Sequence, residues 1–139
     1  MISKTYSFGL LGLEAYPVEI EIDVAKGLPA VTLVGLADTA IKESKARVRS
    51  AIKNSGFQWP SQRITVNLAP SDIKKEGACF DLSIALGILA ADGQINSALL
   101  KNYAFLGELS LDGQIKPVRG VLAISLTMAN FPIKNLILP

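Results

Sequence analysis

Apolar and polar residues alternate most strictly from Tyr16 to Val24, where Val18, Ile20, Ile22 and Val24 interleave with Glu19, Glu21 and Asp23. A period of two predicts a half-buried strand with one wet, acidic face. Lys4 to Leu10 reads as a partner strand with Gly12 in the turn, and Pro29 to Val34 is a third apolar run ended by Gly35. From Asp38 to Asn54 the period becomes helical. Ala37, Ile41, Ser44, Val48 and Ile52 share one stripe at about 100° per residue. Asp38 suits the N-cap, Glu43 lies near the positive end, and Gly56 follows the C-terminus. Lys42, Lys45, Arg49 and Lys53 form a second stripe beside the apolar one.

Ile64 to Leu68 predicts a strand closed by Ala69-Pro70, followed by a polar loop, Ser71 to Gly77, with Lys74, Lys75 and Glu76. A second helix runs from near Cys79 to Ala91 and stops at Asp92-Gly93. Tyr103 to Leu109 reads as one strand, Asp112-Gly113 as a hairpin turn and Gln114 to Lys116 as the return strand. Pro117 and Gly120 punctuate the chain before a third helix, Val121 to Ala129, and Leu136 to Leu138 begins a last strand. This order predicts a mixed α/β (α+β) domain, a mixed β-sheet packed with about three helices, not a bundle or a sandwich. The run Leu82 to Ala91, broken by Ser83, is about half the length a bilayer requires. Asp81 and Asp92 bracket it, so it reads as a buried helix and no membrane association is expected. Met1 to Lys4 does not open a signal peptide, and a cytoplasmic protein with a reduced thiol is expected.

Composition narrows the chemistry. The 139 residues suit one domain; half are hydrophobic, 19% are charged and 6% aromatic, so Leu, Ile, Val and Ala must fill the core. Histidine is absent and Cys79 is the single cysteine. This excludes a His-based triad or dyad, a His-containing metal site, an internal disulfide and a Cys-cluster zinc site within this chain. The net charge of +2 is too small to argue for a nucleic-acid partner, but it is unevenly spread. The helix Asp38 to Asn54 holds five basic residues, Lys42, Lys45, Arg47, Arg49 and Lys53, and two acidic ones. It can be a phosphate-backbone track or an ordinary solvated face whose lysine stems flank the apolar stripe. No aromatic interleaves with that stripe, so stacking on single strands is not expected of it.

No G-x-x-x-x-G-K-[ST] motif occurs. The segment Gly113 to Gly120 has glycines and cations at the wrong spacing, and Pro117 removes an N–H a phosphate cradle would use. Cys79 lies at a predicted helix N-terminus after Lys74 and Lys75, a setting that can lower a thiol pKa. It is then either a nucleophile with a lysine as base, or a small packing residue.

Several blocks resemble the start of the ComM/YifB family, bacterial magnesium-chelatase-like AAA+ proteins. They are Val34 to Ser44, Arg47 to Ile52, Ile64 to Pro70, Lys75-Glu76-Gly77, Phe80 to Leu89, Leu106 to Gly113 and Pro117 to Gly120. The match runs in order over nearly the whole chain. One departure is Ser83, where the family often has proline. The resemblance implies that residues 1–139 are a single N-terminal domain similar to the proteolytic domain of Lon and the C-terminal domain of RadA. It also implies an AAA+ module with ATP and Mg beyond residue 139. That the chain stops at Pro139 directly after a strand pattern fits a piece of a longer protein. By motif matching, Cys79 occupies the position of the Lon-type serine and Leu122 that of the lysine base; leucine cannot accept a proton.

The resemblance therefore implies a non-catalytic assembly and DNA-guiding domain of a hexameric AAA+ ATPase motor that promotes branch migration in natural transformation and recombination. DNA and further copies of the chain would be its partners, with Lys42, Lys45, Arg49 and Lys53 the candidate DNA contacts. Two alternatives stand beside it: a residual Lon-like peptidase or thiol enzyme centred on Cys79, and a chelatase-like module that docks a protein partner.

Overall fold

The computed structural model describes residues 1–139. Its spine is an antiparallel pair, β1 (Ile2–Leu11) and β2 (Glu14–Ala25), joined at Gly12-Leu13 and in register from Ile2↔Asp23 to Leu11↔Glu14. The alternation in β2 is realised: Val18, Ile20, Ile22 and Val24 are buried, while Glu19, Glu21 and Asp23 keep contact with water. β3 (Ala30–Val34) pairs in parallel with β4 (Arg63–Ala69), and β4 runs antiparallel to β2. β5 (Tyr103–Phe105) adds in parallel to β1, and β8 (Asn135–Ile137) in parallel to β5. The six-stranded mixed sheet has the order β3-β4-β2-β1-β5-β8.

Helix α1 (Thr39–Asn54) and helix α2 (Asp81–Ala91) cover one face. Val48 and Ile52 of α1 join Ile84 and Ile88 of α2, Ile20 and Ile22 of β2, and Ile64, Val66 and Leu68 of β4 in the main core. Helix α3 (Val121–Met128) covers part of the other face, where Ile124 and Met128 meet Phe8, Ala104 and Leu106. Beneath α2, the inward positions of β1 are hydroxyls. Ser3 donates to the Gly87 carbonyl at 2.6 Å, Thr5 to Ser83 at 3.0 Å and Ser7 to Phe105 at 2.7 Å. These bonds satisfy buried polar groups while letting the helix sit close to the strand. As its apolar run predicts, α2 is buried almost all round, and no helix is long and apolar enough to cross a membrane.

One expectation changes, and two features appear that periodicity does not reveal. Tyr103 to Leu109 is not one strand: after β5 the backbone turns away, and Glu108–Leu109 (β6) pairs with Ile115–Lys116 (β7) in a separate two-stranded ribbon. The break is tertiary in origin, because the Gly107 N–H donates to the Cys79 carbonyl and its own carbonyl accepts from Leu82 N–H, both at 3.1 Å. A 3₁₀ turn, Ser97–Asn102, precedes β5 where no periodicity predicts it; the Asn96 side chain caps it by accepting from Ala98 N–H. Finally, the loop Ser71 to Gly77 is not uniformly solvated, because Lys75 is fully buried.

Candidate functional site

The basic helix is built by its two ends. The Asp38 carboxylate accepts from Ile41 N–H at 2.9 Å and, with its second oxygen, from Gly77 N–H at 3.1 Å, tying the start of α1 to the loop before α2. At the other end Phe57 N–H donates to the Ile52 carbonyl at 3.1 Å and Gly56 N–H to Lys53 at 3.3 Å. This is a Schellman arrangement, and Gly56 adopts the φ of +88° that it requires. The reversal sends Phe57, Gln58 and Trp59 back beside the helix. Gln94 fixes that return, accepting from Gln58 N–H at 3.0 Å and donating to its carbonyl at 2.7 Å.

Lys42, Lys45, Arg49 and Lys53 are all exposed at the helix surface. None joins the ion pairs of the molecule, which link the N-terminus to Asp23, Lys4 to Glu19, and Arg47 to Glu43 and Asp81. Arg47 must be removed from the basic face. Its guanidinium grips the buried Asp81 carboxylate from α2 with Nε at 2.7 Å and Nη2 at 3.1 Å, and Nη2 also donates to the Ala40 carbonyl. The Asp81 hydrogen bond holds Arg47 above its ordinary pKa. Two depressions adjoin the remaining stripe. One, of about 510 Å³, lies between α1 and the start of β3; the other, of about 440 Å³, lies toward the helix C-terminus. Arg49, Trp59 and Ser61 line both, with Lys45 in the first and Lys53 and Phe57 in the second. Lys42 lines neither. The absence of aromatics along the stripe therefore holds for the helix but not for the surface, because the returning loop supplies them.

Cys79 lies at the far end of α2's approach, in a cavity of about 490 Å³ shared with Asp38, Glu76, Glu108, Arg119 and the apolar Phe8, Leu10 and Ile124. Its Sγ is 3.8 Å from the Phe8 carbonyl. Burial pushes the thiol up to about 12, the reverse of the lowered value its place in the sequence suggests. Lys75, a candidate base, is committed elsewhere: its ammonium donates to the Gly35 carbonyl at 2.7 Å and to the Pro70 carbonyl. Its backbone bonds Leu36 and Asp38, and burial lowers its pKa. Lys74 is exposed, and Leu122 stands in solvent on α3 at 76% exposure. No group of three or more His, Cys, Asp or Glu side chains gathers to hold a metal ion. The sequence also carries no G-x-x-x-x-G-K-[ST] loop, so neither the phosphate cradle nor the acidic cluster that ATP and Mg would use is present among these residues.

The fold and these two places define a mixed α/β domain with an unpaired cationic helix face and a thiol pocket lined by carboxylates and Arg119 but by no lysine or histidine. Comparison with known proteins gives this class its family. The chain belongs to the family of subunit ChlI of Mg-chelatase, whose model matches residues 20–139. It is 50% identical over 121 residues to competence protein ComM of Haemophilus influenzae and 44% identical over 122 residues to YifB of Escherichia coli, an uncharacterized protein. These matches cover 87% and 88% of this chain and 24% of each relative. A match to DNA repair protein RadA of Treponema pallidum, 32% identical over 109 residues, covers 78% of this chain and 23% of that protein. The chain thus spans about a quarter of the length of the curated relatives it matches.

Proposed function

We propose that residues 1–139 form a non-catalytic N-terminal domain, of the Lon-like type, in an AAA+ motor related to ComM, where it assists assembly and guides DNA. In this reading the ATPase module lies beyond residue 139 and carries ATP and Mg. The full protein is a cytoplasmic homo-hexamer that promotes branch migration in natural transformation or recombination. The names of two relatives, a competence protein and a DNA repair protein, support the DNA context. The observation that carries the role of this domain is the row of unpaired cations Lys42, Lys45, Arg49 and Lys53 on one helix face. A residual thiol enzyme is disfavoured by the raised Cys79 pKa and by the engagement of Lys75 with backbone carbonyls.

Replacing Lys42, Lys45 and Arg49 together by Glu is expected to weaken binding to duplex or forked DNA most strongly at low salt. The slope of log K against log salt should flatten by about one unit for each phosphate no longer neutralised. Fluorescence anisotropy over a salt series measures both. Unchanged binding by a variant whose circular dichroism melt matches the parent would remove DNA contact from this face.

A further inference from the structure

The cationic row has a second wall. Lys45, Arg49 and Lys53 follow one another at four-residue intervals, about 6 Å apart along the helix axis, a repeat close to that of an extended sugar–phosphate backbone. Opposite them the groove is closed by the start of the edge strand β3 and by the loop that returns from Gly56. Trp59 stands at the junction of the two depressions together with Arg49. The indole is half-buried against the core, and the Gln58–Gln94 bonds hold the backbone of the residue before it. Phe57, 40% exposed, adds a second ring beside Lys53. No carboxylate lines either depression.

A concave, acid-free groove with cations in file along one wall and Trp59 and Phe57 among its lining matches the two demands of one nucleic-acid strand: a track for phosphates and platforms for bases. A duplex covers its base faces by stacking and offers nothing to a ring at the bottom of a groove. We propose that this groove binds single-stranded DNA, with phosphates along Lys45, Arg49 and Lys53 and a base stacked on Trp59. This rests on the DNA-contact reading above and sharpens it from a charged face to a strand-selective groove.

Trp59 is the one tryptophan of the chain, so its emission reports on the groove directly. Titration with a twelve-residue oligothymidylate is expected to quench it saturably, with a salt slope of about −2 for three neutralised phosphates. A twelve-base-pair duplex is expected to leave it unchanged. Arg49→Glu keeps the reporter and should weaken oligothymidylate binding about tenfold. Trp59→Leu, followed by anisotropy of the labelled oligonucleotide, should cost about tenfold, and Trp59→Tyr should recover most of that loss. Equal quenching by duplex would overturn strand selectivity. Binding that responds to Arg49→Glu while Trp59 emission stays constant would overturn the groove and leave the DNA-contact reading standing. Absence of anisotropy change with any DNA would overturn both. If Trp59→Leu does not fold, the emission titration and Arg49→Glu decide alone.

Discussion

Asp81 is 1% exposed, and its carboxylate is held by both arms of the Arg47 fork and by Leu109 N–H at 3.1 Å. One residue therefore ties α1, α2 and the β6–β7 ribbon together. Arg47→Met would strand a buried carboxylate and is expected to cost about 3–5 kcal/mol in denaturant unfolding. Arg47→Lys should recover little of it, because a point charge cannot reproduce two parallel bonds. If Arg47→Met proved neutral, the pair would be a bystander. A thiol held near 12 is protonated at pH 7, so a thiol reagent should label Cys79 at least a hundredfold more slowly than free cysteine. Labelling faster than free cysteine would return Cys79 to the nucleophiles. Between its ordinary value of 9.0 and about 12, the unfolded thiol has lost its proton and the folded one has not. Stability contributed here is complete below pH 9 and declines as pH rises through that window, and Cys79→Ala should remove this part of the alkaline slope.

Among the elements, β2, β4 and α1 were legible because each shows its periodicity on one buried face, and the caps of α1, Asp38 and Gly56, sit where the sequence puts them. What was not legible depends on partners distant in sequence. Phe-Leu-Gly-Glu-Leu reads as a continuous strand, and only the bonds of Gly107 to Cys79 and Leu82 divide it. Lys75 looks solvated until the carbonyls of Gly35 and Pro70 are seen to receive its ammonium. The candidate DNA face was half legible: its four cations could be read from helical spacing, whereas the pairing of Arg47 with Asp81 and the return of Trp59 beside the helix depend on tertiary contacts. Gly35 offers an element-scale test, since it follows β3 with a φ of +107° and an added Cβ would lie 2.1 Å from the Leu68 carbonyl oxygen of β4. Gly35→Ala should cost on the order of 3 kcal/mol, combining backbone strain with a collision against a core strand. Gly56→Ala has a similar φ, +88°, but open space around the new carbon, and should cost about 1 kcal/mol. Equal melting shifts for the two would mean that the close approach of Gly35 to β4 carries no weight.

Across the whole molecule the two faces of the sheet are unequally covered. The face under α1 and α2 holds a core cluster of 22 buried residues; the face under α3 holds one of 5, and only Ile124 and Met128 of α3 are buried. β8 adds three residues at the sheet edge through β5 alone. Local opening follows buried apolar contact, so amides of β2 and β4 should exchange with solvent only through global unfolding. Those of α3 and β8 should exchange through a smaller opening of lower free energy. The difference bears on both sites. The Cys79 cavity takes Val118, Arg119 and Ile124 from the weakly covered side, whereas the groove at Trp59 is built on α1, the start of β3 and the loop before β4, on the strongly covered one. Opening of α3 would thus expose the thiol pocket while leaving the cationic groove assembled. Native-state hydrogen exchange in low denaturant tests this: α3 and β8 should follow a shallow dependence that meets the global isotherm of β2 only at higher denaturant. A single isotherm shared by α3, β8 and β2 would show one cooperative unit, with the two sites opening together.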